Sequence, residues 1–451
     1  MTSSPTPPQP CDLLIEAGWV IPVEPHGVVL ERHAVAVASG NIVALLPIAD
    51  ARAAYAPRER VELPHSAVLP GLVNVHTHNP MTLMRGVADD LDLMTWLRDH
   101  IWPAEAAVMS AAFCADGAEY AVAEMLRGGT TCCNENYFFP DAIAATYKRH
   151  GFRARVGLPV IDFPSAWASS SAEYFDKAED VHDQYRRDPL ISTSFAPHAP
   201  YTVSDANFER IRMLSDQLDI PVHLHVHETA QEVADSIAQH GQRPFARLQR
   251  LGIVNSSLLA VHMTQLVDAE IAACAEHGVS VAHCPESNLK LASGFCPAEA
   301  LRRTGVNLAL GTDGCASNND LDMFGEMKTA ALLAKAVAGD AAAMDAASAL
   351  RMATLGSAKA MALDHRIGSI EPGKAADLIS VRLDSIEAQP FYDVIAQLVY
   401  AGARSQVREV WIDGVRKLRD GELVDMDTQR LIANARQWRD RIAAAQRGAR
   451  A

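Results

Sequence analysis

Eight short apolar runs alternate with helical stretches through the middle of this chain, and this alternation constrains the fold more than any other feature. Strands that are separated by helices form parallel sheets, because a parallel crossover needs about the length of a helix. We therefore predict an α/β fold whose centre is a (β/α)8 TIM-like barrel, with chemistry at the carboxyl ends of its strands. The predicted strands cover residues 73–75, 130–133, 154–159, 191–196, 222–226, 258–261, 279–282 and 308–311.

Histidines and carboxylates follow several of these runs directly. His76 and His78 lie two residues apart and so share one face of a strand. His262 and Asp313 each follow a later run. Because the strand ends of a barrel meet at one face, these side chains should converge there. Three imidazoles and a carboxylate fit one divalent metal with a water on its open position, and a further glutamate could serve as an acid/base partner beside that water.

The fifth strand carries three candidate ligands instead of one. His223, His225 and His227 alternate with apolar residues and so share a face. Spacing alone does not choose among them. Glu228 lies just past the strand end, where a carboxylate can move protons beside a bound water. The segment lacks the second histidine of a HExxH motif, which excludes that class of metalloprotease.

Two absences narrow the chemistry further. Between residues 79 and 289 the only lysines are Lys148 and Lys177, and neither ends a predicted strand. A lysine that could bridge two metals is therefore missing, and a mononuclear site is expected. The chain also lacks the Pro-Cys-x-x-Cys element of the other zinc deaminases. His283 follows the seventh strand, and a packing role and a substrate contact remain equally open for it.

The two ends of the chain predict further units. Short β-like runs in residues 11–67 and 366–426 should combine into a small β-sandwich domain beside the barrel. Residues 1–10 are rich in proline and serine and should form a disordered tail. Residues 427–451 should form an amphipathic C-terminal helix that packs on the protein body. Residues 368–375 resemble a P-loop, but alanine replaces the magnesium-binding serine or threonine, so we interpret them as a turn.

Bulk composition excludes several classes of partner. The formal net charge of −15 argues against nucleic acid, whose binding proteins present a basic surface. No apolar stretch reaches the ~18 residues of a membrane span. The eight cysteines form no CxxC pair, and the N-terminus has no apolar signal segment. We therefore expect a cytoplasmic protein without membrane contacts.

The histidine and carboxylate motifs at the strand ends resemble those of the amidohydrolase superfamily, and within it those of the 5′-methylthioadenosine/S-adenosylhomocysteine deaminases. The resemblance implies a metal held by His76, His78, His225 and Asp313, with His262 beside the water. It also implies that Glu105 accepts hydrogen bonds from the ribose diol and that Trp96 forms a wall on the adenosine side. His198 and Ser317 would be further substrate contacts. The segments that carry it are residues 69–78, 83–91, 96–97, 101–105, 196–203, 284–294 and 311–319.

The implied reaction is hydrolytic deamination of an adenosine derivative, with Glu228, His262 and Asp313 as catalytic residues. One divalent metal per subunit is expected, Zn²⁺ in first place, although Fe²⁺ accepts the same ligand types. The same machinery could act on another ring, such as guanine, a pterin or a triazine. Arg153 and Arg155 are the candidates for binding the substrate tail, but the 5′ substituent stays open. A homo-oligomer would be usual for such a protein.

Overall fold

The computed structural model describes residues 7–449. Its seventeen strands fall into two sheets. The strands, in chain order, are β1 (Gln9–Val20), β2 (Leu30–Glu31), β3 (His33–Ala38), β4 (Asn41–Pro47), β5 (Tyr55–Pro70), β6 (Leu72–Thr77), β7 (Thr130–Glu135), β8 (Arg153–Val160), β9 (Ile191–Pro197), β10 (Val222–Val226), β11 (Leu258–His262), β12 (Ser280–His283), β13 (Asn307–Leu310), β14 (Leu378–Arg382), β15 (Val407–Ile412), β16 (Val415–Arg419) and β17 (Glu422–Leu423).

Helices separate the barrel strands and also extend beyond them. Short 3-10 or π turns occupy Asn79–Met84, Leu97–Ile101, Met352–Gly356, Ile386–Ala388 and Arg404–Gln406. The α-helices are α1 (Ile48–Ala54), α2 (Leu93–Trp96), α3 (Trp102–Val108), α4 (Ala111–Arg127), α5 (Pro140–His150), α6 (Ser171–Tyr185), α7 (Asp205–Leu218), α8 (Ala230–His240), α9 (Pro244–Arg250), α10 (Asp268–His277), α11 (Pro285–Lys290), α12 (Ala298–Arg303), α13 (Met323–Ala338), α14 (Ala346–Arg351), α15 (Ser357–Ala360), α16 (Val394–Tyr400) and α17 (Thr428–Ala449).

Strands β6 to β13 form the barrel, in which each strand pairs in parallel with its sequence neighbour. The predicted (β/α)8 fold is thus confirmed. Strands β13 and β6 close it through individual contacts. The amide of Asp313 donates to the carbonyl of His76 at 2.9 Å, and Asn74 Nδ2 donates to Thr312 Oγ1 at 2.7 Å. Gly311 permits this approach, because a Cβ there would lie 2.7 Å from Cβ of His76.

The second unit is a mixed sheet of nine strands drawn from both termini, as expected. Its order is β17-β16-β15-β14-β5-β1-β3-β4, and β2 pairs with β1. Alternate residues of β1 face opposite sides: Leu13 and Ile15 pack against Trp411, whereas Leu14 packs against α1. Arg153 of β8 joins the sheet to the barrel, with its Nε 2.7 Å from Asp377 Oδ2.

The ends of the chain refine the predicted division. Residues 1–6 of the predicted tail lie outside the described residues, but Gln9 and Pro10 already pair with Tyr55 and Ala56 of β5. Extended pairing therefore begins inside the segment that was predicted to be disordered, because β5 continues far enough to accept it. The last two residues of the C-terminal segment also lie outside the described part. The division at residues 67/68, 365/366 and 426/427 stays a proposal.

The C-terminal helix α17 packs on the body of the protein. Trp438 and Ile442 are buried, and the ring of Trp438 lies 5.3 Å from that of Phe113. Trp438 Nε1 also donates to Asp116 Oδ2 at 2.8 Å. The apolar stripe of α17 is therefore covered by helix α4 of the same chain. No helix among residues 7–449 is long and apolar enough to cross a membrane.

One predicted helix is divided in the structure. The sequence pattern over residues 104–127 predicts a single helix, whereas α3 ends at Val108 and α4 begins at Ala111. Ser110 explains the break, because its side chain accepts the amide of Phe113 at 3.2 Å as an N-cap. The break lets α3, which carries Glu105, turn towards the mouth of the barrel.

Candidate active site

Four side chains converge at the carboxyl end of the barrel. His76 Nε2 and His78 Nε2 each lie 3.2 Å from Asp313 Oδ1, and His225 Nε2 lies 3.1 Å from His76 Nε2. Strands β6, β10 and β13 supply these residues, so the convergence depends on closure of the barrel. Sequence reasoning placed the same four residues together.

Hydrogen bonds at the far side of each ring orient two of these imidazoles. His78 Nδ1 lies 2.5 Å from the carbonyl of Asn136, and His225 Nδ1 lies 2.5 Å from the carbonyl of His198. Carbonyls only accept, so each Nδ1 carries a proton, and Nε2 is the ring atom that faces the cluster. His76 Nδ1 contacts His223 Nε2 at 2.9 Å. The imidazoles are thereby set to bind a cation through Nε2.

The structure distinguishes the three histidines that spacing left equivalent. His223 lies behind His76, and its Nε2 is hydrogen-bonded to His76 Nδ1. His225, in contrast, reaches the ligand cluster with its Nε2. His227 turns away: its backbone φ is 53°, and its Nε2 accepts the amide of Phe245 at 3.1 Å. The left-handed φ of His227 breaks the alternation that a regular strand would keep, and no residue type at this position predicted that break.

The donor set fits one divalent metal ion. The ligand atoms of His76, His78 and His225 lie within 4.8 Å of one another, as do those of His76, His262 and Asp313. Ligands ~2.1 Å from a tetrahedral ion are roughly 3.4 Å apart, close to the 3.1–3.2 Å separations in this cluster. Neutral nitrogen and anionic oxygen donors, each with a satisfied outer partner, are the usual ligands of such an ion.

The protonation of the cluster agrees with such a site. Burial lowers the pKa of His76 to about 4, so its ring is neutral at physiological pH. Burial also lowers the pKa of His78, but the hydrogen bond and charge of Asp313 outweigh it and raise that pKa to about 9. A cation that binds here must therefore displace a proton from His78. For Asp313, burial raises the pKa, but its contacts with His76 and His78 hold it well below the usual range.

His262 and Glu228 lie beside the cluster. His262 Nδ1 contacts Asn288 Oδ1 at 2.9 Å, and its Nε2 lies 3.8 Å from Glu228 Oε2. Burial raises the pKa of Glu228, which favours a carboxyl group that can donate a proton. His262 and Asp313 both adopt left-handed backbones, with φ of 73° and 64°. Residues other than glycine rarely do so, and such strain concentrates at functional sites.

A cavity of about 820 Å³ opens above these residues. His78, His225, Glu228, His262 and Asp313 all line it. The four predicted substrate contacts line it too; these are Trp96, Glu105, His198 and Ser317. A cavity of this size accommodates a nucleoside with a substituent.

Glu105 is held by a tyrosine that the sequence analysis missed. The hydroxyl of Tyr137 donates to Glu105 Oε1 at 2.5 Å, and Tyr137 also lines the cavity. Burial raises the pKa of Glu105 to about 7, although Tyr137 and the nearby His78 oppose the shift. Tyr137 follows strand β7, and its position after a strand end was the only available signal.

Three other functional contacts were also missed. Ser287 Oγ donates to Asp313 Oδ2 at 2.6 Å, Asn288 contacts His262, and the carboxylate of Glu232 accepts the amide of Glu228 at 2.7 Å. Ser287 and Asn288 belong to the motif in residues 284–294, which carried the family resemblance without assigned roles. Glu232 had no signal beyond its place in the first turn of a helix.

Some candidate residues lie elsewhere. His283 is buried and does not line the cavity, which argues against a direct contact with a molecule bound there. Arg153 pairs with Asp377 and Asp413, and Arg155 donates Nε to Ser192 Oγ at 3.2 Å. Neither arginine lines the cavity. Both are therefore excluded as direct contacts for a substrate tail inside it.

Comparison with known proteins agrees with this geometry. The chain is 46% identical over 433 residues, 96% of its length, to the 5-methylthioadenosine/S-adenosylhomocysteine deaminase of Teredinibacter turnerae, of which it covers 98%. It is 39% identical to the 5′-deoxyadenosine deaminase of Methanopyrus kandleri, with 83% of this chain and 86% of that protein aligned.

Solved structures extend the comparison. A zinc-bound adenosine deaminase from Xanthomonas campestris is 70% identical and superposes with a TM-score of 0.97 over 97% of this chain and all of that one. An atrazine chlorohydrolase from Arthrobacter aurescens shares the fold, with a TM-score of 0.87 at 22% identity over 94% of this chain and 99% of that one. The model of the amidohydrolase family matches residues 67–417. With that match over most of its length, the chain belongs to the amidohydrolase family.

Proposed function

We propose that this protein catalyses the hydrolytic deamination of an adenosine derivative, releasing ammonia and an inosine-type product. The observation that carries the proposal is the contact of His262 and Glu228 with one end of a cavity whose wall also presents Glu105. Proton-transfer groups and a diol acceptor in the same cavity fit a nucleoside substrate. The relatives at 39–46% identity bear names that specify deaminases of such nucleosides.

The metal site is proposed to hold one Zn²⁺ per subunit, with His76, His78, His225 and Asp313 as ligands. Nitrogen-rich ligand sets suit zinc, although Fe²⁺ accepts them as well, and the related Xanthomonas structure contains zinc. When bound, such an ion supplies Lewis-acid chemistry that lowers the pKa of water towards neutrality.

Three side chains are proposed to move the protons. Asp313 and His262 orient the attacking water and take up its proton as the oxygen bonds to C6 of the purine. Burial raises the pKa of Glu228, which favours its role as the acid, and its carboxyl group is proposed to donate a proton to N1 as C6 becomes tetrahedral. The proton taken from water then passes to the amino group, and the C6–N bond breaks to release ammonia. The hydroxyl group that remains on C6 then gives its proton to Glu228, which restores the protonated carboxyl group.

Four residues are proposed to position the nucleoside. Glu105 accepts hydrogen bonds from the ribose hydroxyls, and Trp96 covers one face of the adenosine. His198 and Ser317 contact the base. The partly buried His198 supports this role because desolvation of its ring lowers its pKa to about 4, which leaves the ring neutral. Ser317 Oγ donates to the carbonyl of Gly314 at 3.0 Å and keeps its lone pairs available as acceptors.

Ammonia release and metal content, measured on the same purified sample, test the proposal. The substrates are methylthioadenosine, 5′-deoxyadenosine, adenosine and guanine. We expect the adenosines to be deaminated and guanine, which has no ribose, to react at least about 100-fold more slowly in kcat/KM. A fully metallated sample that releases no ammonia from any adenosine would overturn the proposal, and so would a preference for guanine. The cytoplasmic location and the homo-oligomer stay predictions of the sequence.

A further inference from the structure

The cavity above the active site has an unusual charge distribution. Among the described residues, no lysine or arginine lines it, and its charged groups are the carboxylates of Glu105, Glu228 and Asp313 beside the histidines. Much of the remaining wall is apolar. The larger apolar side chains that line it include Leu97, Trp102, Met109, Phe138, Ile161 and Phe163.

Two lysines in segments next to the cavity, Lys290 and Lys177, are committed to other partners. Lys290 Nζ lies 2.7 Å from Asp89 Oδ1, and it also donates to the carbonyl of Ala316 at 3.1 Å. Lys177 Nζ lies 2.7 Å from Glu173 Oε1. Each ammonium is therefore already paired with a carboxylate. As described above, Arg153 and Arg155 are enclosed by the barrel and the sheet.

A substituent that carries a carboxylate would find a poor environment in this cavity. Moving an ionised carboxylate out of water is costly unless a cation or several donors replace its hydration. The cavity does contain unpaired donors, Trp96 Nε1 and Asn136 Nδ2. These donors are neutral, and hydrogen bonds from neutral groups are about half as strong as those from charged groups. An alkylthio substituent, in contrast, gains by covering the apolar wall.

We propose that the cavity selects adenosines whose 5′ substituent is uncharged and apolar, and discriminates against the amino-acid tail of S-adenosylhomocysteine. This inference rests on the function proposed above and defines its substrate class. It does not depend on the direction of the tail, because no lysine or arginine lines any part of the cavity.

A pair of substrates whose tails have the same carbon chain length separates the effect of charge from that of tail length. S-Adenosylhomocysteine and 5′-butylthio-5′-deoxyadenosine have tails of equal chain length, but only the first carries a carboxylate and an ammonium. We expect kcat/KM for the butylthio compound to lie within about tenfold of that for methylthioadenosine, and that for S-adenosylhomocysteine to be at least about 100-fold lower than for the butylthio compound.

The outcomes of this assay are distinct. Equal rates for the two matched substrates would overturn the inference and leave the proposed deaminase function intact. A butylthio compound as slow as S-adenosylhomocysteine would show exclusion by size, which also overturns selection by charge. If none of the adenosines reacts, the proposed function itself fails.

Introducing a cation provides the converse test. Phe163 is 48% exposed and lines the cavity, and the neighbouring Ala166 is exposed, so both positions tolerate a longer side chain. We expect Phe163→Arg or Ala166→Arg to raise the ratio of kcat/KM for S-adenosylhomocysteine over the butylthio compound by about tenfold. Phe163→Gln is the neutral control. An unchanged ratio in both arginine variants, or an equal rise in Phe163→Gln, contradicts the inference.

Discussion

Glu232 holds the backbone of Glu228 in place from the first turn of α8. Its Oε2 accepts the amide of Glu228 at 2.7 Å, and its Oε1 accepts the amide of His227 at 3.1 Å. Glu228 lies beyond the end of a strand, where no ladder of hydrogen bonds holds its backbone. These two hydrogen bonds from the amides of His227 and Glu228 therefore help to position Glu228 relative to His262. We predict that Glu232→Ala lowers kcat by about 10- to 100-fold, since small displacements of a proton donor are costly.

Metal content and KM distinguish two roles for Glu232: positioning of Glu228, or general stability of the active site. Glu232→Ala should keep its metal and change KM little, because Glu232 contacts neither the ligands nor the proposed substrate. Glu232→Gln, which retains one acceptor oxygen, should fall between the wild type and Glu232→Ala. Loss of metal in parallel with kcat would instead assign Glu232 to the stability of the barrel end.

Glu228→Gln should abolish turnover without releasing the metal. The amide cannot supply an acidic proton to the ring nitrogen, and general acid–base groups contribute typically 10²- to 10⁴-fold to a rate. We expect a fall of at least about 1000-fold in kcat on methylthioadenosine. Metal analysis of the same sample provides the control. Near-normal rates would show that another group protonates the substrate.

His225 and His227 form a matched pair for testing the metal site. Both lie on or just after β10, but the ring of His225 reaches the cluster while that of His227 accepts the amide of Phe245. His225→Ala should lose most of its bound metal, whereas His227→Ala should retain it and lose stability only. Metal content by elemental analysis, compared at equal folded fraction, distinguishes the two. Equal metal loss in both variants would contradict the assignment.

Chelation and reconstitution complete this test. Removing the metal from the wild type should abolish ammonia release, and adding Zn²⁺ back should restore it. His78 requires the ion to displace a proton because its pKa is raised to about 9 by Asp313, against the effect of burial. Metal uptake should therefore weaken as the pH falls from 9 to 6. Affinity that does not change over this range would contradict the protonated state of His78.

Tyr137→Phe should impair binding of substrates that carry a ribose diol. The variant removes the hydroxyl that donates to Glu105, and hydrogen bonds to charged groups contribute about 1.5–3 kcal/mol. We expect KM for methylthioadenosine to rise about tenfold, with kcat less affected. A 2′,3′-dideoxy substrate has no diol and should show no such rise. An equal effect on both substrates would indicate a general change of the cavity.

Acid stability should depend on Glu299, far from the reaction centre. The hydrogen bond from Arg302 lowers the pKa of Glu299 to about 2, outweighing burial, and Arg303 and the amide of Met344 add to it. Because this pKa lies below the usual 4.5, its stabilisation is complete above about pH 4.5 and is lost as the pH falls towards 2.

The matched variant is Glu299→Gln, which cannot ionise. At pH 7 it should be less stable by about 1–2 kcal/mol, measured by urea unfolding. Between pH 4.5 and 3 the wild type should lose more stability than the variant, so the two curves converge. Parallel curves over that range would show that Glu299 does not ionise differently in the folded and unfolded states.

The sequence predicted the barrel well because each strand is a local signal. The predicted run at 222–226 coincides with β10, and the others differ from the observed strands by a few residues. Periodicity over residues 104–127 could not show the break at Ser110, since capping by one hydroxyl does not alter the apolar pattern. The short strands β16 and β17 were likewise too brief to stand out.

Residues that act through contacts distant in sequence were harder to predict. Tyr137, just after β7, contacts Glu105 on α3, and Asn288 contacts His262 although 26 residues separate them in sequence. No residue type or spacing marks such partners. Spacing alone could not choose among His223, His225 and His227, because all three share one face in an ideal strand, and His225 was implied only by the family resemblance.

Closure of the barrel between β13 and β6 has a consequence for how the active site assembles. Asn74 and Thr312, which form a hydrogen bond across this closure, are 238 residues apart in sequence; His76 lies two residues after Asn74, and Asp313 lies directly after Thr312. An ion held by His76 and Asp313 would join the two ends of the barrel domain. Because such a site does not exist in the unfolded chain, its binding free energy would stabilise the folded barrel as a whole, and its release would weaken the closure between β13 and β6.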